Sequence, residues 1–174
     1  MKKIRAFVMV LLATAAVGFM GCPSHVSRSS GYNGTVKVKI FNNADVPLTV
    51  SSITEYKHND PTILGSYGEE TTISVNGNKE LEISCHSPCS GDACQTKINC
   101  YCTSGSSVVY PYAGYINGSS VTIYTSGSRK EKTSEYEFRH PSLKLKFSDP
   151  GTTITVVYNF VKTTGGDYVL CKVE

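Results

Sequence analysis

Cysteine is the residue type with the clearest chemical potential in this 174-residue chain, and five of its seven cysteines crowd into one stretch. The stretch "CHSPCSGDACQTKINCYC" spans residues 85 to 102, with gaps of three, four, five and one residues between its cysteines. Zinc sites and thioredoxin-type redox sites are usually written with close C-x-x-C pairs. Because no C-x-x-C occurs here, we predict structural disulfides, no bound metal and no cofactor.

Six cysteines can form three bridges, and the spacing constrains them only in part. The six are Cys85, Cys89, Cys94, Cys100, Cys102 and Cys171. Cys89 and Cys94 suit a short local bridge. Cys85 and Cys171 then remain to be matched with Cys100 and Cys102, in an order that the sequence leaves open. Either order ties the C-terminal end of the chain to the cluster.

Catalytic arrangements of side chains are not recognisable in the sequence. The four histidines lie outside any nucleophile elbow or H-E-x-x-H pattern. His58 could be oriented by Asp60, but a loop histidine near an aspartate is more often plain surface polarity. We therefore predict no catalytic residues and a protein that is not an enzyme.

Eleven tyrosines and no tryptophan make up a second notable feature, and four of the tyrosines flank one predicted hairpin. The hairpin is "VVYPYAGYINGSSVTIYTSG", with its turn at Asn117-Gly118. Alternation divides its residues between two faces. We predict a core face of Tyr110, Tyr112, Ile116, Val121 and Ile123. The other face carries Pro111, Ala113, Tyr115, Thr122 and Tyr124. Tyr115, Tyr124 and Pro111 on that second face are the candidate binding surface, although ordinary strand tyrosines would look the same.

Strands with a period of two position all of these residues. In "TVKVKIF" the apolar residues Val36, Val38 and Ile40 alternate with Lys37 and Lys39, which is typical of a half-buried strand. We predict further strands at 46–54, 70–75, 79–85, 97–102, 108–116, 121–125, 135–139, 143–147, 153–160 and 168–173.

The turns between these strands are typical of an all-β domain. Asn76-Gly77, Asn117-Gly118 and Gly165-Gly166 suit tight hairpin turns, and Asp149-Pro150-Gly151 suits a type II turn. No part of the chain after residue 22 shows a helical period. The prediction is one antiparallel β-sandwich or barrel of about ten short strands, stapled by disulfides.

The first 22 residues, "MKKIRAFVMVLLATAAVGFMGC", indicate export. Three basic residues precede an apolar run from Ala6 to Met20, which is shorter than the roughly 20 residues of a membrane-spanning helix. The segment resembles the signal peptides of bacterial lipoproteins, which implies cleavage after Gly21 and lipidation of Cys22. The alternative is an ordinary secretory signal cut elsewhere. We therefore predict a signal peptide at 1–21, a lipidated linker at 22–35 and a β-sandwich domain at 36–174.

The resemblance also implies a location and a redox environment. Pro23 follows Cys22 where lipoproteins retained at the inner membrane carry Asp, so an outer-membrane lipid anchor is expected, with the membrane face left open. Exported thiols are oxidised, and lipidation of Cys22 leaves an even number of cysteines for pairing. Three of the 17 basic residues precede Cys22, which leaves 14 against 14 acidic residues. A balanced charge gives no footprint for nucleic acid.

Two classes of function fit these features. The first is a non-catalytic module that binds a protein or a glycan at a membrane surface. The second is a membrane-active or toxin-like sandwich, because "VKVKIFNNADVPLTV" at 36–50 is similar to the opening hairpin of aegerolysins, small β-sandwich proteins that act on lipid membranes. The chain lacks the tryptophans of that family, so no lipid-binding residue is carried over. The binding module is preferred, and an uncharacterised secreted enzyme is a third reading.

Overall fold

A computed structural model describes residues 32–87, 93–142 and 152–174, and these residues form strands and turns. The fourteen strands are β1 (Tyr32–Asn42), β2 (Leu48–Lys57), β3 (Ile63–Tyr67), β4 (Thr71–Ile73), β5 (Asn78–Ser87), β6 (Ala93–Ser104), β7 (Ser107–Val109), β8 (Tyr112–Asn117), β9 (Ser120–Ile123), β10 (Thr125–Ser126), β11 (Arg129–Lys130), β12 (Phe138–Ser142), β13 (Thr152–Lys162) and β14 (Tyr168–Val173). None of the described segments contains a helix long and apolar enough to cross a membrane.

The strands form two six-stranded sheets and one small hairpin. Sheet A has the order β5-β1-β13-β14-β8-β9, and the hairpin is β10-β11. Sheet B has the order β12-β6-β2-β3, with β4 added beside β2 and β7 beside β6. The described residues contain strands and no helix, which confirms the predicted all-β class. Neither six-stranded sheet closes on itself within these residues, so the barrel alternative is wrong.

Sheet A is mixed, whereas the prediction was antiparallel throughout. β1 pairs in parallel with β13, and β8 pairs in parallel with β14. Parallel neighbours need a long connection between them. Most of the chain, including all of sheet B, separates β1 from β13 and provides that connection.

Alternation along β1 fixes the inward face of sheet A, as predicted. Val36, Val38 and Ile40 are buried, while Lys37 points outward and forms an ion pair with Glu82 at 2.7 Å. Apolar side chains from both sheets meet in one core. Its largest fully buried members include Tyr158, Phe138, Phe160, Ile40, Leu48, Ile53, Ile83, Ile98 and Leu170.

Two of the three predicted hairpin turns are present: Gly118 lies between the paired strands β8 and β9, and Gly166 lies between β13 and β14. Asn76-Gly77 also forms a turn, but it connects β4 of sheet B with β5 of sheet A and is not a hairpin. Asn76 and Gly118 have positive φ angles of 58° and 59°, the left-handed region that asparagine and glycine tolerate best. β1 begins at Tyr32 and therefore includes the last four residues of the predicted linker. The predicted strand at 143–147 and the turn at 149–151 lie outside the described residues.

β3 is absent from the prediction because its sequence does not alternate. Only Leu64 of its five residues is buried, and Gly65 interrupts the apolar pattern. A methyl group on Gly65 would lie 2.3 Å from the Ser84 carbonyl oxygen of β5. The edge of sheet B therefore comes so close to the edge of sheet A that only glycine fits at this position.

Candidate binding surface

The β8–β9 hairpin presents the opposite face to the core from the one that the sequence predicted. Ala113 is fully buried and lies beside Leu170 of β14, which belongs to the core. Tyr110 and Val121, predicted to be buried, are 54% and 37% exposed. Both faces of this hairpin are apolar, so hydrophobic alternation alone does not decide which one turns inward.

Tyr115, Tyr124 and Pro111, predicted as an exposed binding surface, are therefore on the inward side. Pro111 is buried, and Tyr115 and Tyr124 are half-buried. The Tyr124 ring stacks on Tyr136 with 4.0 Å between centroids, and Tyr115 lies 5.5 Å from Tyr124. This aromatic group continues through Phe138 to the fully buried Tyr158. Tyr124 therefore packs against the core, with Tyr115 beside it, and the predicted role of these tyrosines in binding stays a prediction.

The outward face of the same hairpin carries an apolar row across three strands. Val173 of β14 lies beside Ile116 of β8, which lies beside Val121 of β9. Val173 and Val121 are 36% and 37% exposed. Ile123 and Tyr112 point to the same side. We call Tyr112, Ile116, Val121, Ile123 and Val173 the β8–β9 face.

Lysines border the β8–β9 face at its Tyr112 end. The Lys132 ammonium lies 3.9 Å from the centre of the Tyr112 ring and donates a hydrogen bond to the Tyr110 carbonyl at 2.7 Å. The Lys130 ammonium lies 5.3 Å from the same ring. Its hydrogen bond to Asp167 raises the Lys130 pKa. An apolar centre with a cationic rim is a common composition for an interface.

A buried carboxyl group lies in the core beneath these strands, and the sequence did not predict it. Glu55 of β2 is fully buried, and its Oε1 accepts a hydrogen bond from Thr96 at 2.6 Å. Burial raises the pKa of Glu55 to about 8, against a weaker opposing effect of the Thr96 bond. Tyr158 lies in the same region, where burial and the Glu55 charge raise its pKa.

A bulge in β2 explains why Glu55 points inward. The pairing of β2 with β6 shifts between Val50 and Ser52. Before the shift Leu48 and Val50 face the core, and after it Ile53 and Glu55 do. One extra residue thus exchanges the two faces of the strand, which turns Tyr56 outward.

The described cysteines are all buried, and the structure forms no disulfide among them. Cys94, Cys100 and Cys102 share the inward face of β6, and Cys85 faces the core from β5. Burial raises the pKa of Cys85 and Cys100 to about 12 in each case, so their thiols are weak nucleophiles. Cys22 and Cys89, and so the predicted lipidation and the Cys89–Cys94 bridge, lie outside the described residues.

Cys171 contradicts the predicted bridge to Cys100 or Cys102. Leu170 of β14 points into the core, so its neighbour Cys171 points to the outer face of sheet A, beside Gly114. Cys100 and Cys102 lie on the other side of that sheet. A bridge from Cys171 to either of them would have to cross sheet A, whereas a disulfide requires the two side chains to approach each other from their Cβ atoms.

Two clusters with the composition of a catalytic site do not have its geometry. Cys85, His86 and Asn33 lie together, and His86 hydrogen-bonds Asn33. Successive residues of a strand point to opposite faces, so the buried Cys85 and the exposed His86 are directed apart. The second cluster is His58 with Asp60. The Asp60 carboxylate accepts hydrogen bonds from the Thr62 amide at 2.9 Å and from the Thr62 hydroxyl at 2.6 Å, and these bonds stabilise the turn.

Comparison with known proteins assigns no family to this chain. No protein-family model matches the sequence, and no curated protein matches it at a significant level.

Proposed function

We propose that the protein is an exported lipoprotein whose β-sandwich acts by binding a partner protein and not by catalysis. The observation that carries this proposal is the row of Val173, Ile116 and Val121 on the outward side of sheet A. Apolar side chains that lie side by side on an exposed sheet often mark an interaction site. The lipid on Cys22 would hold this surface close to a membrane.

The chemistry of the β8–β9 face defines the partner. Its aliphatic centre suits an apolar ridge, and Lys132 at the Tyr112 end suits an acidic side chain beside that ridge, whereas Lys130 is already paired with Asp167. β9 is also the last strand of sheet A, so its outer edge lies next to the apolar row. A partner can therefore bury aliphatic surface and meet positive charge in one docking event.

Disulfides remain part of this proposal, with one revision. An exported protein meets oxidising conditions, which favour bridges among the cysteines that face the core. A bridge from Cys171 to Cys100 or Cys102 is no longer included, because β14 directs Cys171 to the opposite side of sheet A.

Replacing the two most exposed valines of the row tests the proposal. The double variant V121D/V173D places charge at the centre of the β8–β9 face. The control V75D/V108D alters two valines that are 40% and 56% exposed elsewhere. Envelope and host-surface proteins captured by the immobilised mature protein would be purified and titrated individually. We expect V121D/V173D to weaken a specific partner about tenfold or more, and the control to stay within about twofold.

The same variants distinguish the membrane-active alternative. Aliphatic, tyrosine and lysine side chains together also suit the interfacial layer of a bilayer. Flotation with liposomes of phosphatidylethanolamine and phosphatidylglycerol would use protein that carries Cys22→Ser and so has no lipid. Liposome binding that V121D/V173D abolishes would replace protein binding by membrane binding as the function. Equal behaviour of all variants in both assays would overturn the role of this face.

A further inference from the structure

Sheet B carries a separate cavity on its outward side, where β2 enters its turn towards β3. The cavity has a volume of about 380 Å³, and its lining residues are Tyr56, Asn59, Asp60, Pro61, Gln95 and Glu137. Ligand sites in proteins typically measure roughly 300–1,000 Å³. Two adjacent strands and two connecting segments contribute to the lining, so the cavity depends on the assembled sheet.

The bulge in β2 that turns Glu55 into the core also turns Tyr56 outward, where it lines this cavity. The pairing shift between Val50 and Ser52 turns Tyr56 outward, where it lies beside Gln95 of β6. Arg139 of β12 lies on the other side of Gln95, and Glu137 precedes that strand. The aromatic and amide side chains are therefore held by sheet pairing.

The turn that completes the cavity is fixed by its own hydrogen bonds. The Lys57 amide donates to the Thr62 carbonyl at 2.9 Å, and the Asp60 amide donates to the Lys57 carbonyl at 3.2 Å. Asn59 has a positive φ of 59°. Both Thr62 bonds to the Asp60 carboxylate use Oδ1, and they lower the Asp60 pKa. The turn and the Asp60 carboxylate are thus arranged before a ligand arrives, which reduces the entropic cost of binding.

The lining groups match a polyhydroxyl ligand better than other classes. Two primary amides both donate and accept hydrogen bonds, and two carboxylates accept them, as sugar hydroxyls require. Tyr56 and Pro61 offer apolar surface to the C–H face of a pyranose ring. The lining itself contains two acids and no cationic side chain. Arg139 lies beside Gln95, and the charge of Lys57 acts on Asp60, so the match of amides and carboxylates to hydroxyl groups carries the assignment and net charge does not. Among the described residues no group of three side chains is arranged to bind a metal ion.

We propose that this cavity binds a neutral saccharide, with Tyr56 against the sugar ring and Asn59, Gln95, Asp60 and Glu137 bonded to its hydroxyls. The site lies on sheet B, and the β8–β9 face lies on sheet A. The inference therefore stands apart from the proposed protein partner.

Titration of the mature protein with neutral sugars tests this assignment. The panel is glucose, galactose, mannose, N-acetylglucosamine and their β-linked disaccharides, followed by tyrosine chemical shifts and calorimetry. We expect Tyr56→Ala and Gln95→Ala each to weaken the bound sugar about tenfold or more, because each removes a central contact. Tyr101→Ala is the matched control, since Tyr101 also lies on β6 and beside β2, at Thr49. It should change affinity by less than about twofold.

Several results would overturn the assignment. The first is that no sugar in the panel binds, and the second is that Tyr56→Ala binds sugar as tightly as wild type. The third is that the protein binds an oligolysine peptide but no sugar, and that Glu137→Gln abolishes the peptide binding. Thermal unfolding of every variant checks that loss of binding is not loss of fold. V121D/V173D should retain saccharide affinity, so failure of the sheet A proposal and failure of this one are distinguishable.

Discussion

Glu55 is the residue whose environment departs furthest from its ordinary chemistry. Its carboxyl group is fully buried, hydrogen-bonded to Thr96, and has a pKa raised to about 8 by burial. Burial favours the neutral form of this carboxyl group, because ionisation in the core would cost it its hydration.

This raised pKa predicts that the protein loses stability through Glu55 as pH rises above about 4.5. In the unfolded chain the group loses its proton near its ordinary pKa of 4.5, and in the folded chain only near 8. The contribution of Glu55 to stability is therefore complete below about 4.5 and is lost as pH rises to about 8. Its slope is about 1.4 kcal/mol per pH unit between these values.

Glu55→Gln should remove this slope and leave the rest of the pH profile unchanged. Urea unfolding at a series of pH values from 4 to 9 would measure the free energy of unfolding for both proteins. Glu69→Gln, which alters an exposed carboxylate, is the control and should follow wild type. Parallel pH profiles for wild type and Glu55→Gln would show that Glu55 is ionised in the folded protein.

At the scale of elements, Gly114 shows how closely the strands beneath the β8–β9 face are packed. It lies in β8 between Cys171 of β14 and Ile123 of β9. A Cβ atom at this position would meet the Thr122 carbonyl oxygen at 2.5 Å and the Val169 side chain at 2.8 Å. Because backbone is the nearer neighbour, the clash is not relieved by a rotamer change.

Gly114→Ala should therefore destabilise the protein by about 1–3 kcal/mol, as overpacking does in a well-packed core. Gly68→Ala is the matched control, because no atom lies within 4 Å of its added Cβ. Chemical denaturation would give the free energy of unfolding of both variants. A loss in Gly114→Ala no larger than in Gly68→Ala would show that β8 and β9 can separate to admit a side chain.

Comparison of particular elements shows which features the sequence predicts and which it does not. β1 was predicted from alternation because Lys37 and Lys39 identify its outward face without ambiguity. The β8–β9 hairpin has apolar residues on both faces, so the same rule predicted the wrong one. Glu55 and Tyr56 exchanged faces through a bulge that leaves no clear mark in "VSSITEY". Consequently neither candidate surface was predictable before the sheets were assembled.

At the scale of the whole molecule, the two sheets present different chemistry to solvent. The outward side of sheet A has the aliphatic row of Val173, Ile116 and Val121. The outward side of sheet B is polar, for example where the Asn99 amide donates to Ser52 at 2.8 Å. The protein partner and the saccharide that we propose would therefore bind on different sheets and would not compete for one surface. A lipid on Cys22 would confine both encounters to a membrane surface.

Lipidation of Cys22 is the prediction that connects this domain to that surface. The basic residues, the short apolar run and the Gly21-Cys22 pair that follows it are the sequence features that support it. The full-length protein should yield a mature chain that begins at Cys22, carries diacylglycerol and acyl chains by intact mass, and enters the detergent phase on Triton X-114 separation. Cys22→Ser should leave an unprocessed precursor or a water-soluble product without lipid, because serine offers no thiol for the thioether bond. Ser24→Ala, two residues away, is the control and should be processed like wild type. A wild-type protein that carries no lipid and starts at Ala16 or Phe19 would instead identify an ordinary secretory signal, and would leave Cys22 as a seventh cysteine in an exported chain.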